Sequence, residues 1–275
     1  MDLRKFGVRT LVTVVVGPFI ILCAWKGQYL FFALMTSIVV LGMYEFYNLS
    51  VQKVAIPERF TGIATGIGIC FLFFFNQMQN VWILIAASFF LLLVLELFRN
   101  KVAPILNVAT TFMGVIYVAF FLGFLILIRE LGDQVGLSYE IGGELVILVF
   151  LCIWICDSAA YILGAQFGRT KLFERVSPNK TVEGTLFGFG FAVLTAYVCY
   201  LTFLTEIGLV NALTIGAICG SVGQVSDLLE SLFKRDAHVK DSSNLIPGHG
   251  GILDRFDSEI LAAPVVYFYL YFIVF

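Results

Sequence analysis

The chain has 275 residues, 60% of them hydrophobic and 13% charged, with a formal net charge of −2 and a mean hydropathy of +0.97. Soluble domains carry roughly 45–50% apolar and about 25% charged residues, so this composition excludes a soluble globular fold and predicts a polytopic membrane protein. The slight acidity, with no Lys/Arg tract or zinc-knuckle spacing, excludes nucleic acid as a partner.

Apolar windows of roughly 17–25 residues, long enough to cross a bilayer as helix, predict an all-α fold of about nine transmembrane helices. They cover approximately 8–25, 29–46, 60–75, 81–98, 105–128, 144–163, 185–204, 210–233 and 258–275. Arg4, Lys5 and Arg9 precede the first, and no small-x-small cleavage site follows, so it is read as a retained span. With alternate connections on one side, 15 of the 17 Lys and Arg fall there, and only Lys26 and Arg129 fall opposite. The positive-inside rule then places the N-terminus in the cytoplasm and the C-terminus outside. No fixed-period repeat or linker divides the chain. It reads as a single integral membrane domain, 1–275, in which 1–143 is a scaffold and 144–275 carries the catalytic helices and cytoplasmic loops.

Glu45 and Glu96 lie near helix ends, where a carboxylate reaches the interface, and are read as anchors. The six cysteines all lie in apolar runs and read as small hydrophobes, although Cys152 and Cys156 share a helical face. Asp157, deep in the sixth span, is harder to explain. An ionisable group at a helix centre costs roughly 2.5–3.5 kcal/mol and needs a partner or a role. Hydrogen bonds from Ser158 or Tyr161 are the plain alternative.

Gly168 to Gly184 places Arg169, Lys171, Arg175 and Lys180 around Ser177-Pro178 and ends in Thr181 and Glu183. Basic residues beside a membrane attract anionic headgroups. The Ser-Pro-x-Lys-Thr stretch reads more specifically as a tight turn at a helix start, a cradle for phosphate or ribose.

In the eighth span Asp227, Glu230, Ser231 and Lys234 are spaced i, i+3, i+4, i+7 and share one face. An Asp227–Ser231 contact with a Glu230–Lys234 ion pair would be the plain account. That face leads into Arg235, Lys240 and Asp241, and then into the turn Pro247-Gly248-His249-Gly250-Gly251. Asp254, Arg255 and Asp257 follow at the start of the ninth span. For Asp254, helix capping and metal binding both stay open. Hard carboxylate oxygens from two helices, with no thiol or imidazole set, suit magnesium. Lone His249 suits a hydrogen bond to phosphate or to a turn carbonyl better than a metal bond.

From Ser231-x-x-Lys234-Arg235 through Lys240-Asp241 to Pro247-Gly248-His249-Gly250-Gly251-x-x-Asp254-Arg255-x-Asp257, the sequence closely resembles the signature of phosphatidate cytidylyltransferases, also called CDP-diacylglycerol synthases. Asp157-Ser158, Ser177-Pro178-Asn179-Lys180-Thr181-Val182-Glu183-Gly184 and Asp227-Leu228-Leu229-Glu230-Ser231 are similar to three further blocks. The specific likeness covers about 157–258; the N-terminal half shares hydropathy and Glu45. Two departures stand out. Ser226 replaces a Gly before the Asp, and Ala237-His238-Val239 replaces a Gly-Ile before Lys240.

The resemblance implies transfer of the cytidylyl group of CTP to phosphatidate, with magnesium as cofactor and pyrophosphate released. It implies a bacterial-type inner (cell) membrane with the active site on the cytoplasmic face, where CTP, phosphatidate and membrane lipids meet. Under that reading Asp227, Asp254 and Asp257 hold the metal, and Asp157 stands behind them or serves a second cation. Lys234, Arg235, Lys240 and Arg255 bind the triphosphate, and Asp241 and His249 orient that basic set. Ser177, Lys180 and Glu183 help hold the nucleotide. A homodimer stays open, as do a CTP-dependent enzyme acting on another lipid and an ion-coupled transporter, since intramembrane acids also mark ion pathways.

Overall fold

The computed structural model describes residues 3–51, 55–243, 245 and 250–275, with side chains from Val14 onward. The helices α1 (Leu3–Lys26), α2 (Gln28–Val51), α3 (Arg59–Phe74) and α4 (Met78–Arg99) open the chain. Helix α5 (Pro104–Gly114), a π segment (Val115–Phe120) and α6 (Phe121–Arg129) follow as one rod, begun by a proline at its first turn. A single turn, α7 (Leu131–Gln134), precedes α8 (Tyr139–Phe167). The hairpin strands β1 (Lys171–Phe173) and β2 (Ser177–Thr181) lead into α9 (Val182–Thr202), α10 (Leu209–Asp236) and α11 (Leu253–Tyr269), whose end widens into a second π segment, Leu270–Val274.

The chain is thus an all-α polytopic membrane protein, since only helices satisfy their own backbone groups in hydrocarbon. Seven helices among the described residues are long and apolar enough to cross a bilayer. Of the nine expected spans, the first and third fall short of that measure: the described apolar stretch Val14–Lys26 and α3 are shorter. The expected tight turn over Ser177 to Thr181 is instead a strand, paired antiparallel with β1, Lys171 opposite Thr181 and Phe173 opposite Ser177. Pro178 is tolerated there because a two-stranded ribbon has free edges. Thr181 does start a helix: its hydroxyl accepts the Gly184 amide at 3.1 Å.

Apolar side chains from both halves of the sequence form one core, and the rod Pro104–Arg129 is the most buried of the long helices. The boundary expected at 143 falls inside α8. Helices α8, α9 and α10 pack through small residues at four-residue spacing: Cys152, Cys156, Ala160 and Gly164 on α8, Gly184, Gly188, Ala192 and Ala196 on α9, Gly216 and Gly220 on α10. A Cβ on Gly188 would lie 2.9 Å from the Cys156 carbonyl, and one on Gly220 2.9 Å from the Ala192 Cβ. Such ridges let backbones approach where lipid offers no hydrophobic drive.

Helix ends gather at two poles. At one, the α2 end meets the α11 start, and Asn107 joins the 56 loop to the α4 end through Ile56 N (2.6 Å) and Glu96 (2.6 Å). At the other, Arg129 donates to the carbonyls of Ala24 (2.6 Å), Tyr139 (2.9 Å) and Trp25 (3.1 Å), and Tyr269 donates to Asn211 (2.7 Å).

Candidate active site

The first pole is built around two buried carboxylates. Glu45 is an acceptor for Ser242 Oγ (3.1 Å), Ser243 Oγ (2.5 Å), Ile252 N (3.0 Å) and Leu253 N (2.8 Å). It thereby caps the start of α11 from another helix, satisfying amides that a helix beginning leaves orphaned. Ile252, the residue before α11, supplies no side-chain cap. Asp254 is equally committed: Oδ1 takes the Lys234 ammonium at 2.6 Å, and Oδ2 takes Ser242 N (2.9 Å), Ser242 Oγ (2.9 Å) and Gly251 N (2.7 Å). Gly250, with φ of +80°, makes the bend that brings the Gly251 amide there. Lys234 also pairs with Glu230 one turn back.

The second group lies beside the first, linked to it through Lys234 and Glu230 of α10. Asp157 of α8, although deep in its helix, is exposed at the protein surface and lies within electrostatic reach of Asp227, Lys180 and Arg255. Asp257 is half-buried, and Asp227, Glu230 and Asp157 surround it. Lys180, the last basic residue of β2, pairs with Asp227. The hairpin is held for this purpose. Glu183 accepts the amides of Arg169 (3.0 Å) and Thr170 (3.1 Å), and Arg235 donates to the carbonyls of Val176 and Val239, each at 3.2 Å.

Asp227, Asp257, Asp157, Lys180 and Arg255 therefore converge, with Lys234 two turns along α10 from Asp227. Asp254 faces the loop, and Glu183 and Arg235 brace the hairpin. Ser177 is half-buried on β2, while Lys240 and Asp241 are exposed beside the loop. His249, Pro247 and Gly248 lie outside the described residues. The plain contacts weighed for α10 are present, with Ser231 Oγ to Asp227 at 3.4 Å and Lys234 to Glu230. Those weighed for Asp157 are not: the Ser158 hydroxyl bonds the Trp154 carbonyl at 2.7 Å, and Tyr161 is 80% exposed.

Asp227, Asp257 and Asp157 offer hard carboxylate oxygens of the kind a divalent cation takes, and Asp227 already draws the Lys180 ammonium. Among the described residues no three acidic, His or Cys side chains close around an ion by themselves. Asp254 does not fit this role, because both its oxygens are spent on protein donors.

Sequence reasoning missed three participants. The partners of Glu45 lie 197 to 208 residues away, so no local spacing reveals them. Ser226, one of the two departures, is buried and donates to the Asp257 carbonyl while accepting Leu261 N at 3.3 Å, which ties α10 to α11. Tyr117, in the first π segment, has Glu230, Asp257 and Asp227 as its charged neighbours.

Residues 7–273 match the Cytidylyltransferase family. A protein of Staphylococcus saprophyticus is 33% identical over 267 residues, covering 94% of this chain and 96% of its own. One from Synechocystis sp. is 38% identical over 63% of this chain and 66% of its own length, and one from Bacillus subtilis is 41% identical over 58% and 56%. All three are named phosphatidate cytidylyltransferase. With that match enclosing both carboxylate groups, the hairpin and the basic residues between them, the chain belongs to the cytidylyltransferase family.

Proposed function

We propose that this protein transfers the cytidylyl group of CTP to phosphatidate, giving CDP-diacylglycerol and pyrophosphate, at the cytoplasmic face of a bacterial cell membrane crossed nine times. One observation carries the reading: three aspartates from α8, α10 and α11 meet a lysine from the hairpin at one pole, inside a family match to proteins of that name.

A phosphate oxygen of the lipid attacks the α-phosphorus of CTP, a new P–O bond forms, and the bond to the β-phosphate breaks with pyrophosphate leaving. Both reactants are polyanions, so charge neutralisation and alignment dominate the barrier. Asp227 and Asp257, with Asp157 behind them, would hold magnesium, which would supply positive charge at the phosphates. Lys180, Lys234, Lys240 and Arg255 neutralise the triphosphate and the departing pyrophosphate. Glu45 and Asp254 hold the loop and the first turn of α11, so that Arg255 and Asp257 are presented together. The lipid phosphate attacks directly, which requires no protein nucleophile, and the acyl chains stay in the bilayer. The 15 Lys and Arg gathered on one side of the nine expected spans support a cytoplasmic site.

The experiment is turnover by purified protein with CTP, magnesium and phosphatidate, reading pyrophosphate and lipid-linked cytidine together. Equimolar appearance of both, abolished by chelation and restored by magnesium, is expected. Pyrophosphate released equally without phosphatidate overturns the reading.

A further inference from the structure

Tyr117 stands in the π segment that interrupts the rod Pro104–Arg129, a helix irregularity frequent at functional positions. Its ring lies between Phe46, at 5.8 Å between centroids, and Phe233, at 5.3 Å and edge-on. The residue is 6% exposed, and its hydroxyl has no hydrogen-bond partner among the described residues. Its charged neighbours are Glu230, Asp257 and Asp227.

Glu230 is in the complementary condition. It is fully buried; Oε2 takes the Lys234 ammonium, and Oε1 has no hydrogen-bond partner among the described residues. Its only described charge partner in contact is the Lys234 ammonium, which also serves Asp254. A buried donor lacking an acceptor thus belongs to the same buried cluster as a carboxylate with one oxygen unmet, the Tyr117 ring packing on Phe233 of the α10 turn that follows Glu230. Leaving such groups unmade is costly, and it becomes reasonable where the missing bond is made in another state of the protein.

We infer that Tyr117 is a positioning residue for polyphosphate binding. When the phosphates of the substrate draw the Lys234 ammonium off Glu230, the Tyr117 hydroxyl donates to the Glu230 carboxylate and holds it in place. The bond exists only in the loaded site, so it favours the loaded state over the resting one. The inference rests on the cytidylyl-transfer reading.

Tyr117→Phe removes one oxygen and leaves the ring between Phe46 and Phe233, so it tests the bond rather than the packing. Expected is an unfolding temperature equal to or above wild type without substrate, together with a kcat/KM for CTP lowered roughly tenfold to a hundredfold, the range of a hydrogen bond to a charged group. Adding the change to Glu230→Gln should cost less than about threefold more, because the two residues act together. Unchanged kinetics, a lowered unfolding temperature with normal kinetics, or full multiplication of the two losses would each overturn the inference. Failure of the wild-type protein to turn over CTP sinks the assigned reaction instead. Tyr117 is then judged by the thermal shift with magnesium and inorganic pyrophosphate: a smaller shift for Tyr117→Phe than for wild type upholds it, and equal shifts overturn it.

Discussion

Asp254 and Asp257 sit three residues apart on the first turn of α11, and their environments give them different tasks. Asp254 accepts four hydrogen bonds from Lys234, Ser242 and Gly251, whereas Asp257 opens toward Asp227 and Asp157. Asp254→Asn breaks a mostly buried ion pair, which costs about 3 kcal/mol, so stability and turnover should fall together. Asp227→Asn should remove turnover to below roughly a hundredth of wild type, as expected when charge stabilisation of a phosphoryl transfer is lost, with little change in unfolding temperature. Thermal unfolding and CTP turnover of both variants, measured side by side, check this; equal stability loss in the two would refute the division. The sequence signature named both aspartates and gave them one role, because spacing reports a shared helix face and not what lies opposite it. His238 shows a departure that can be read locally. Val239 N donates to the Lys234 carbonyl (2.9 Å) and His238 N to that of Arg235 (3.0 Å), a Schellman close to α10, and His238 takes φ of +59° where glycine is favoured. His238→Gly should therefore raise stability by up to about 1 kcal/mol, seen as a higher unfolding temperature; a decrease would mean that the imidazole has a partner of its own.

Among the described residues, the seven helices long enough to cross a bilayer follow the hydropathy closely, because such runs leave the backbone no other choice. The hairpin was not legible. Ser177 to Thr181 carries proline and polar residues that read as a turn, and its strand conformation comes from pairing with β1 and from the Arg235 hold on Val176. The packing of α8, α9 and α10 lay half in view. Cys152 and Cys156 were visible as neighbours on one face, but their continuation through Ala160 to Gly164, against the α9 ridge of Gly184, Gly188, Ala192 and Ala196, shows only once the helices touch. Two glycines of α9, two residues apart, make the test. Gly188 faces α8, where a Cβ would meet the Cys156 carbonyl at 2.9 Å and the Ala160 Cβ at 3.0 Å; Gly190 has nothing within 4 Å. Gly188→Val should lower the unfolding temperature sharply and abolish turnover, since α8 carries Asp157. Gly190→Ala should leave turnover intact and stabilise by roughly 0.5–1 kcal/mol, the helix cost of glycine against alanine. Equal behaviour of the two variants would remove the ridge as the cause of close packing.

Across the whole molecule, the carboxylates and Arg129 lie at opposite poles, so the sidedness of one predicts that of the other. Arg129, one of only two basic residues expected opposite the rest, is buried and donates to three backbone carbonyls, so it pins α1 to α8 and leaves Lys26 as the exposed basic residue among the two. That sharpens the charge asymmetry behind the cytoplasmic assignment. The weak point is α3, whose 16 residues rise roughly 24 Å at 1.5 Å per residue, less than a hydrocarbon core of about 30 Å. Crossing there needs local thinning or flanking polar groups at the interface. The cysteines allow a direct measurement, because all six are buried and single exposed replacements can be labelled over little background. Val51→Cys and Gln77→Cys flank α3, and Glu174→Cys and Asp133→Cys flank α8; all four positions are exposed. A membrane-impermeant maleimide applied to intact cells stripped of the outer wall should label Gln77→Cys and Asp133→Cys, and reach Val51→Cys and Glu174→Cys only after permeabilisation. Labelling of Val51→Cys and Gln77→Cys from the same side would remove α3 from the spans and, with it, the nine-span count. Reversal of the α8 pair alone would put the carboxylate group on the face away from CTP and end the proposed reaction.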